Sequence, residues 1–430
     1  MKLKILGRIA LAMAASAGCV LGTTSCTSNF SVGYLYVTGA QFNQIQGYKI
    51  GHNDGSLTQI QAPTGTAGVA PIQVVKSANG RFLYVLNQGC GDTGQAACPQ
   101  SVGSATAPSN ISLFAIGGLG VLTFQQSYTM QGRNTVSMTI NSSGSYLYAL
   151  DSIAPDGSGQ GDISAFAIDQ NTGRLQTITN AQIKGPNGVN LPYFKVGSNP
   201  TWITVGAGGS FVYVAEQGPV TGANPQDPSQ AIFVYGLTTA NGQLTLTQNA
   251  PLPTGATRLT FISTGSASYV YALDAGTPGS NGLILPYTTA ANGGLQSVTG
   301  GAVVNNAQGG QAVNPTNILT DASNKFVYVV NTGPNLGTNS PASSITEYLL
   351  QTNGQLTPQT IGNQIFGTGS GPRCVLEDPS SQYLYTANFN DSSITGKVID
   401  HNAGSLTPVS GKLPAAPGNP TWCVASGNTF

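Results

Sequence analysis

Charge is what this chain has least of. Its 430 residues carry 15 Lys and Arg against 15 Asp and Glu, and only 2 His. With no basic excess there is no electrostatic footprint for phosphate neutralisation, so nucleic-acid binding is set aside. Histidine is too scarce, and the cysteines too widely spaced, for a zinc site; no metal ligand set can be read from the spacing. Both histidines, His52 and His401, precede the same kind of turn, in "GHNDGSL" and "DHNAGSL", and are read as turn residues. In place of charge stand 57 Gly, 25 Pro and a hydrophobic share of 40%, a balance that suits a β-rich protein with many turns and rules out global disorder.

The first residues read as a targeting segment. Lys2, Lys4 and Arg8 form a positive start, and "IALAMAASAGCVLG" is an apolar stretch too short for a comfortable membrane span. Cys19 and Cys26 follow small residues, a pattern that resembles a bacterial lipoprotein processing site. Cys26 is the expected lipidation site, which makes residues 1–26 a signal peptide and the product an exported cell-envelope lipoprotein. Ordinary secretion without a lipid is the alternative; in the first reading the membrane is engaged only through the lipid.

Self-similarity organises the rest. An aromatic, β-branched stretch recurs seven times, from "YLYVTG" at Tyr34 through "FLYVLN", "YLYALD", "FVYVAE", "YVYALD" and "FVYVVN" to "YLYTAN" at Tyr383, at spacings of 48 to 65 residues. Eleven residues before Phe82, Phe211, Phe326 and Tyr383 stand Pro71, Pro200, Pro315 and Pro372, each opening a short apolar run. A third strand such as "ISAFAI" and a turn-plus-strand such as "NGQLTL" or "DGSLTQ" complete the unit. Four antiparallel strands repeated seven times predict an all-β, seven-bladed β-propeller over residues 30–430. The first aromatic strand has no opening strand ahead of it, while "NPTWCVASGNTF" at the end matches the start of "NPTWITVGAGGSFVYVAE". The C-terminal strand is therefore expected to join the N-terminal blade and close the ring, leaving no free edge.

The proline-led strand, "DPSSQYLYTAN" and "NGQLTP" together resemble the phosphogluconolactonase-type lactonase family of propellers, over residues from about 30 to 430. That resemblance implies hydrolysis of a sugar lactone on the propeller axis. Family members commonly carry "GPRH", whose Arg and His line the central pocket; here "GPRC" supplies Arg373, with Cys374 in the histidine's place. A Glu commonly follows the next aromatic strand, where this chain has Asn388.

Loops from second to third strand and from one blade to the next are long and irregular, and the opposite set is short, so one face is decorated for binding. On that face the residues closing the aromatic strands are expected to ring the channel mouth: Gly39, Asn87, Asp151, Glu216, Asp274, Asn331 and Asn388. Arg133, Arg258 and Arg373 lie at or beside the opening strands. Glu216 or Asp274 as base with Arg373 as cation is the candidate catalytic set; Asp151, Arg133, Arg258, Asn331 and Asn388 are candidate ligand contacts. Crowded carboxylates could raise a pKa or hold Ca²⁺; equally, Asn and Asp there could simply accept backbone hydrogen bonds. Cys90 and Cys98 bracket one loop and suit a disulfide. Cys374 and Cys423 point to opposite faces of neighbouring blades, so a bridge across the ring closure is feasible, with two buried thiols as the alternative.

Two functions follow. One is an exported lactonase-like hydrolase without a cofactor. The other is a non-catalytic surface or periplasmic propeller that binds a polysaccharide, peptide or protein partner.

Overall fold

The computed structural model describes residues 30–427 except 63–66, 93–94, 99–105, 220–228, 248–249, 266–268, 306–311, 334–342 and 359–364. The targeting segment with Cys19 and Cys26 lies outside the described residues. From Ser31 onward the chain forms seven antiparallel sheets. Blades 2 to 7 open with Pro71–Lys76, Arg133–Ile140, Pro200–Val205, Leu259–Thr264, Pro315–Thr320 and Pro372–Glu377, and the next three strands of each follow in order. Blade 1 takes its opening strand from the far end of the chain: Pro420–Gly427 pairs antiparallel with Ser31–Gly39, with Tyr36 opposite Val424 and Val37 opposite Cys423. The opening strands touch one another in a complete cycle, so the ring closes as expected. In blades 3 to 6 a short extra strand, such as Phe194–Lys195, pairs with the third strand beside the fourth.

Two sequence motifs that travel together prove to be one device. The tyrosine that is third in each aromatic stretch reaches the strand 3–4 turn of the next blade. Tyr36, Tyr84, Tyr148, Tyr271, Tyr328 and Tyr385 donate their hydroxyls to the carbonyls of Gly120, Gly173, Gly242, Gly354, Gly404 and Gly55, at 2.8 to 3.1 Å. Tyr213 bonds Thr289 instead. The bond from Tyr385 to Gly55 passes from blade 7 to blade 1 and completes the cycle. These glycines hold positive φ, and a Cβ at Gly354 would strike the ring of Tyr269.

The apolar core is correspondingly divided into seven clusters, each shared by two neighbouring blades. The cluster between blades 7 and 1 contains Cys374 and Cys423, which form a disulfide with Cα atoms 5.9 Å apart. Cys90 and Cys98 form the second disulfide, across 4.9 Å.

Candidate functional site

A β-bulge in the first half of every opening strand builds the centre of the molecule. In blade 4, Pro200 lies opposite Glu216 and Trp202 opposite Ala215, leaving Thr201 as the extra residue. The same shift recurs in all seven blades and sets out Ile72, Val136, Thr201, Thr260, Thr316, Arg373 and Thr421 as the extra residues. The residue before the strand supports the turn: Asn199, Asn314 and Asn419 take the left-handed conformation that Asn tolerates, and Gly371 takes it before Pro372. A bulge bends the strand and re-aims a side chain. All seven extra residues line one axial cavity of about 310 Å³.

Trp202, Phe261 and Trp422, each one residue further along, complete an aromatic wall in that cavity. The Trp202 and Phe261 rings are stacked at 4.0 Å, and Trp422 lies 5.1 Å from Trp202. Three ring threonines spend their protons on the ring itself. Thr201, Thr316 and Thr421 donate to the carbonyls of Leu259, Pro372 and Pro71 in the next blade, at 3.1, 3.2 and 2.7 Å. Each hydroxyl oxygen keeps lone-pair capacity for a ligand hydroxyl.

Arg373 is the single charged side chain lining this cavity among the described residues. It is exposed to the cavity, and its guanidinium lies 5.0 Å from the Phe389 ring centroid, a cation–π distance. Partial desolvation by the surrounding blades holds its pKa below the usual arginine value. Two ion pairs form among the described residues, Arg133 with Asp92 and Lys195 with Asp156, and neither uses Arg373. A second cavity of about 310 Å³ adjoins the first, sharing Thr260, Thr316 and Arg373 and adding Arg258.

The strand-closing residues differ from the expected ring of side chains at a mouth. They are opposite the residue ahead of the bulge and are buried within their blades. Asp274 accepts backbone N–H groups from Thr257, Arg258 and Gly276 at 2.8 to 2.9 Å. Asn331 donates to Thr346 and accepts from Asn305. Asn388 donates to Ser393 and Thr395. Asp151 accepts from Gly132, Thr135 and Ser164 and faces Asp162 across the sheet. Glu216 is fully buried, with its carboxylate beside Tyr235. Neither Glu216 nor Asp274 lines the cavities that hold Arg373. Arg133 is drawn away by its ion pair with Asp92, at 3.2 Å. Of the candidates, Arg258 and Arg373 share a cavity, and Asp274 holds the backbone of Arg258. No three His, Cys, Asp or Glu side chains among the described residues are gathered as a metal ion would use them.

Cys374 turns into the core between blades 7 and 1 as half of a disulfide. What sequence reasoning missed is the aromatic wall. Its signal was present: the chain has two tryptophans, and both stand in "NPTW".

The family profile described as "Lactonase, 7-bladed beta-propeller" matches residues 28–194 and 283–425. No curated protein matches the chain. Among solved structures, a periplasmic gluconolactonase from Pseudomonas aeruginosa is 16% identical with a TM-score of 0.62, covering 92% of this chain and 98% of that one. A protein from Lactobacillus plantarum is 15% identical with a TM-score of 0.66, covering 92% and 99%. At these identities the structural likeness speaks to fold.

Proposed function

Because the chain belongs to the lactonase family of seven-bladed β-propellers, we propose that it hydrolyses a sugar lactone in the axial cavity, with Arg373 as the electrophilic group. The observation that carries this reading is Arg373 itself, a guanidinium without an ion-pair partner among the described residues, set by a bulge into an aromatic-walled cavity. The aromatic faces suit the C–H surface of a sugar ring, and the threonine oxygens can accept from its hydroxyls. Arg373 donates to the lactone carbonyl oxygen, where negative charge develops as water adds to the carbonyl carbon. The bond to the ring oxygen then breaks, that oxygen takes up a proton, and the product is a hydroxy acid whose carboxylate pairs with Arg373.

No carboxylate or imidazole lines the cavity among the described residues, so water deprotonated by solvent base is the nucleophile assigned here. The rate then rises with pH across the neutral range, without a plateau set by an enzymic base. The same observation favours a second reading, a polyol-binding propeller without turnover. Titrating a panel of aldonolactones in a pH-stat separates the two. Hydrolysis by the purified protein, with kcat/KM reduced about 10²- to 10³-fold by Arg373→Ala, is the expected result. Hydrolysis indifferent to Arg373→Ala removes this site, and binding without turnover favours the second reading.

Export is part of the same proposal. Two disulfides suit an oxidising compartment. Lipidation at Cys26 is tested by mass spectrometry of the membrane fraction: Cys26→Ser should release the protein into the soluble envelope fraction, and an unlipidated wild-type N-terminus would contradict it.

A further inference from the structure

We infer that the second cavity is a carboxylate subsite, and that the ligand is a sugar acid with two acidic ends, entering as a lactone that retains one free carboxylate. This rests on reading the axial cavity as a lactone site.

The cavity joins Arg258 to Arg373. Arg258 is fixed from behind. Its backbone N–H donates to Asp274, and its Nε donates to the carbonyl of Gly276 at 3.0 Å. Asp274 thus binds the backbone of this segment, and no ion pair forms between its carboxylate and the Arg258 guanidinium. The terminal nitrogens of Arg258 make no bond to the described residues. Nor do the guanidinium nitrogens of Arg373, whose contact is with the Phe389 ring. The other polar lining groups direct donors at the backbone: Thr260 donates to Leu273 and Thr332 to Asn314. Asn314 donates to Gly333 and accepts from Gly279, each at 2.6 Å, and Thr316 donates to Pro372. Two forks of N–H donors are therefore the charged groups the cavity offers a ligand, and the ligand that complements them is an oxyanion.

A carboxylate fits better than a phosphate. One planar guanidinium matches one carboxylate in a two-point contact. Among the described residues the lining has no lysine, glycine-rich loop or helix N-terminus, the groups that usually surround the oxygens of a phosphate dianion. Since Arg373 borders both cavities, it can meet the lactone carbonyl while Arg258 meets the remote acid. Arg258 is thereby a specificity-determining residue.

The test is a titration of the purified protein followed by tryptophan fluorescence, because both tryptophans stand in the axial wall. D-Glucarate, D-gluconate and 6-phosphogluconate are the probes, none of which requires turnover. Glucarate should bind about 10-fold more tightly than gluconate, and Arg258→Gln should bring the ratio to within about 2-fold, with Arg258→Lys intermediate. Melting temperatures establish that the variants are folded; if Arg258→Gln is not, Arg258→Lys carries the comparison. Equal binding of the two acids, a ratio that survives Arg258→Gln, a preference for 6-phosphogluconate, or no binding at all would each overturn the inference. A protein that prefers the diacid but hydrolyses no lactone would overturn the hydrolytic reading and leave the subsite standing.

Discussion

At the scale of single residues, position in the blade decides what a charged group can do. Arg373 and Asp151 looked alike in the sequence, as charged groups near a strand end. The bulge puts the first into a cavity, and the pleat puts the second into the sheet. Asp151 faces Asp162 across blade 3, and both are fully buried. Burial raises both pKa values; the neighbouring Asp151 raises Asp162 further, while bonds from Thr135, Ser164 and Gly132 hold Asp151 back. The native state therefore keeps protons that the unfolded chain has lost. The contribution of this pair is complete below the unfolded carboxylate range near about pH 4 and fades as pH rises through the folded values. Asp162→Asn should raise the melting temperature at pH 8 and leave it nearly unchanged at pH 4, flattening the pH profile. An unchanged pH profile would show that the pair is not the titrating unit.

At the scale of elements, the repeat was legible because its parts bind one another. The aromatic strand and the glycine turn recur in fixed order, and the hydroxyl of each strand's tyrosine seeks the turn of the next blade. Gly354→Ala tests the lock: with φ at +84° and the Tyr269 ring in the way, it should cost about 2–4 kcal/mol in a denaturant titration. A loss below about 0.5 kcal/mol, the level of an ordinary surface change, would mean the turn relaxes freely. The candidate site was less legible, for a reason in the same strands. Alternation counted from the proline assigns faces correctly only without a bulge, and here an extra residue intervenes in every blade. The axial residues also vary from blade to blade, from Ile72 and Val136 to Thr201 and Arg373, so the repeat that revealed the fold is silent about them.

At the scale of the whole molecule, the ring is held shut by a strand and a disulfide that join blades 7 and 1. Closure could be inferred from "NPTW" because an unpaired sheet edge is costly, and the pairing of Pro420–Gly427 with Ser31–Gly39 bears it out. The bridge was one of two open possibilities, since chain geometry allowed it without requiring it; the structure forms it. Replacing Cys374 and Cys423 together by serine should destabilise the protein by about 2–4 kcal/mol, measured under oxidising conditions. Equal stability of wild type and variant would place closure on strand pairing alone. Arg373 and Trp422 each adjoin one of these cysteines in sequence, so closure of the ring and assembly of the axial wall occur together. The most direct test of the account is a crystal structure of the protein soaked with an aldonolactone or its acid. The expected density lies against Trp202 and Trp422 with an acyl oxygen within hydrogen-bonding distance of Arg373; an empty axial cavity at saturating ligand, or density elsewhere on the ring, would contradict it.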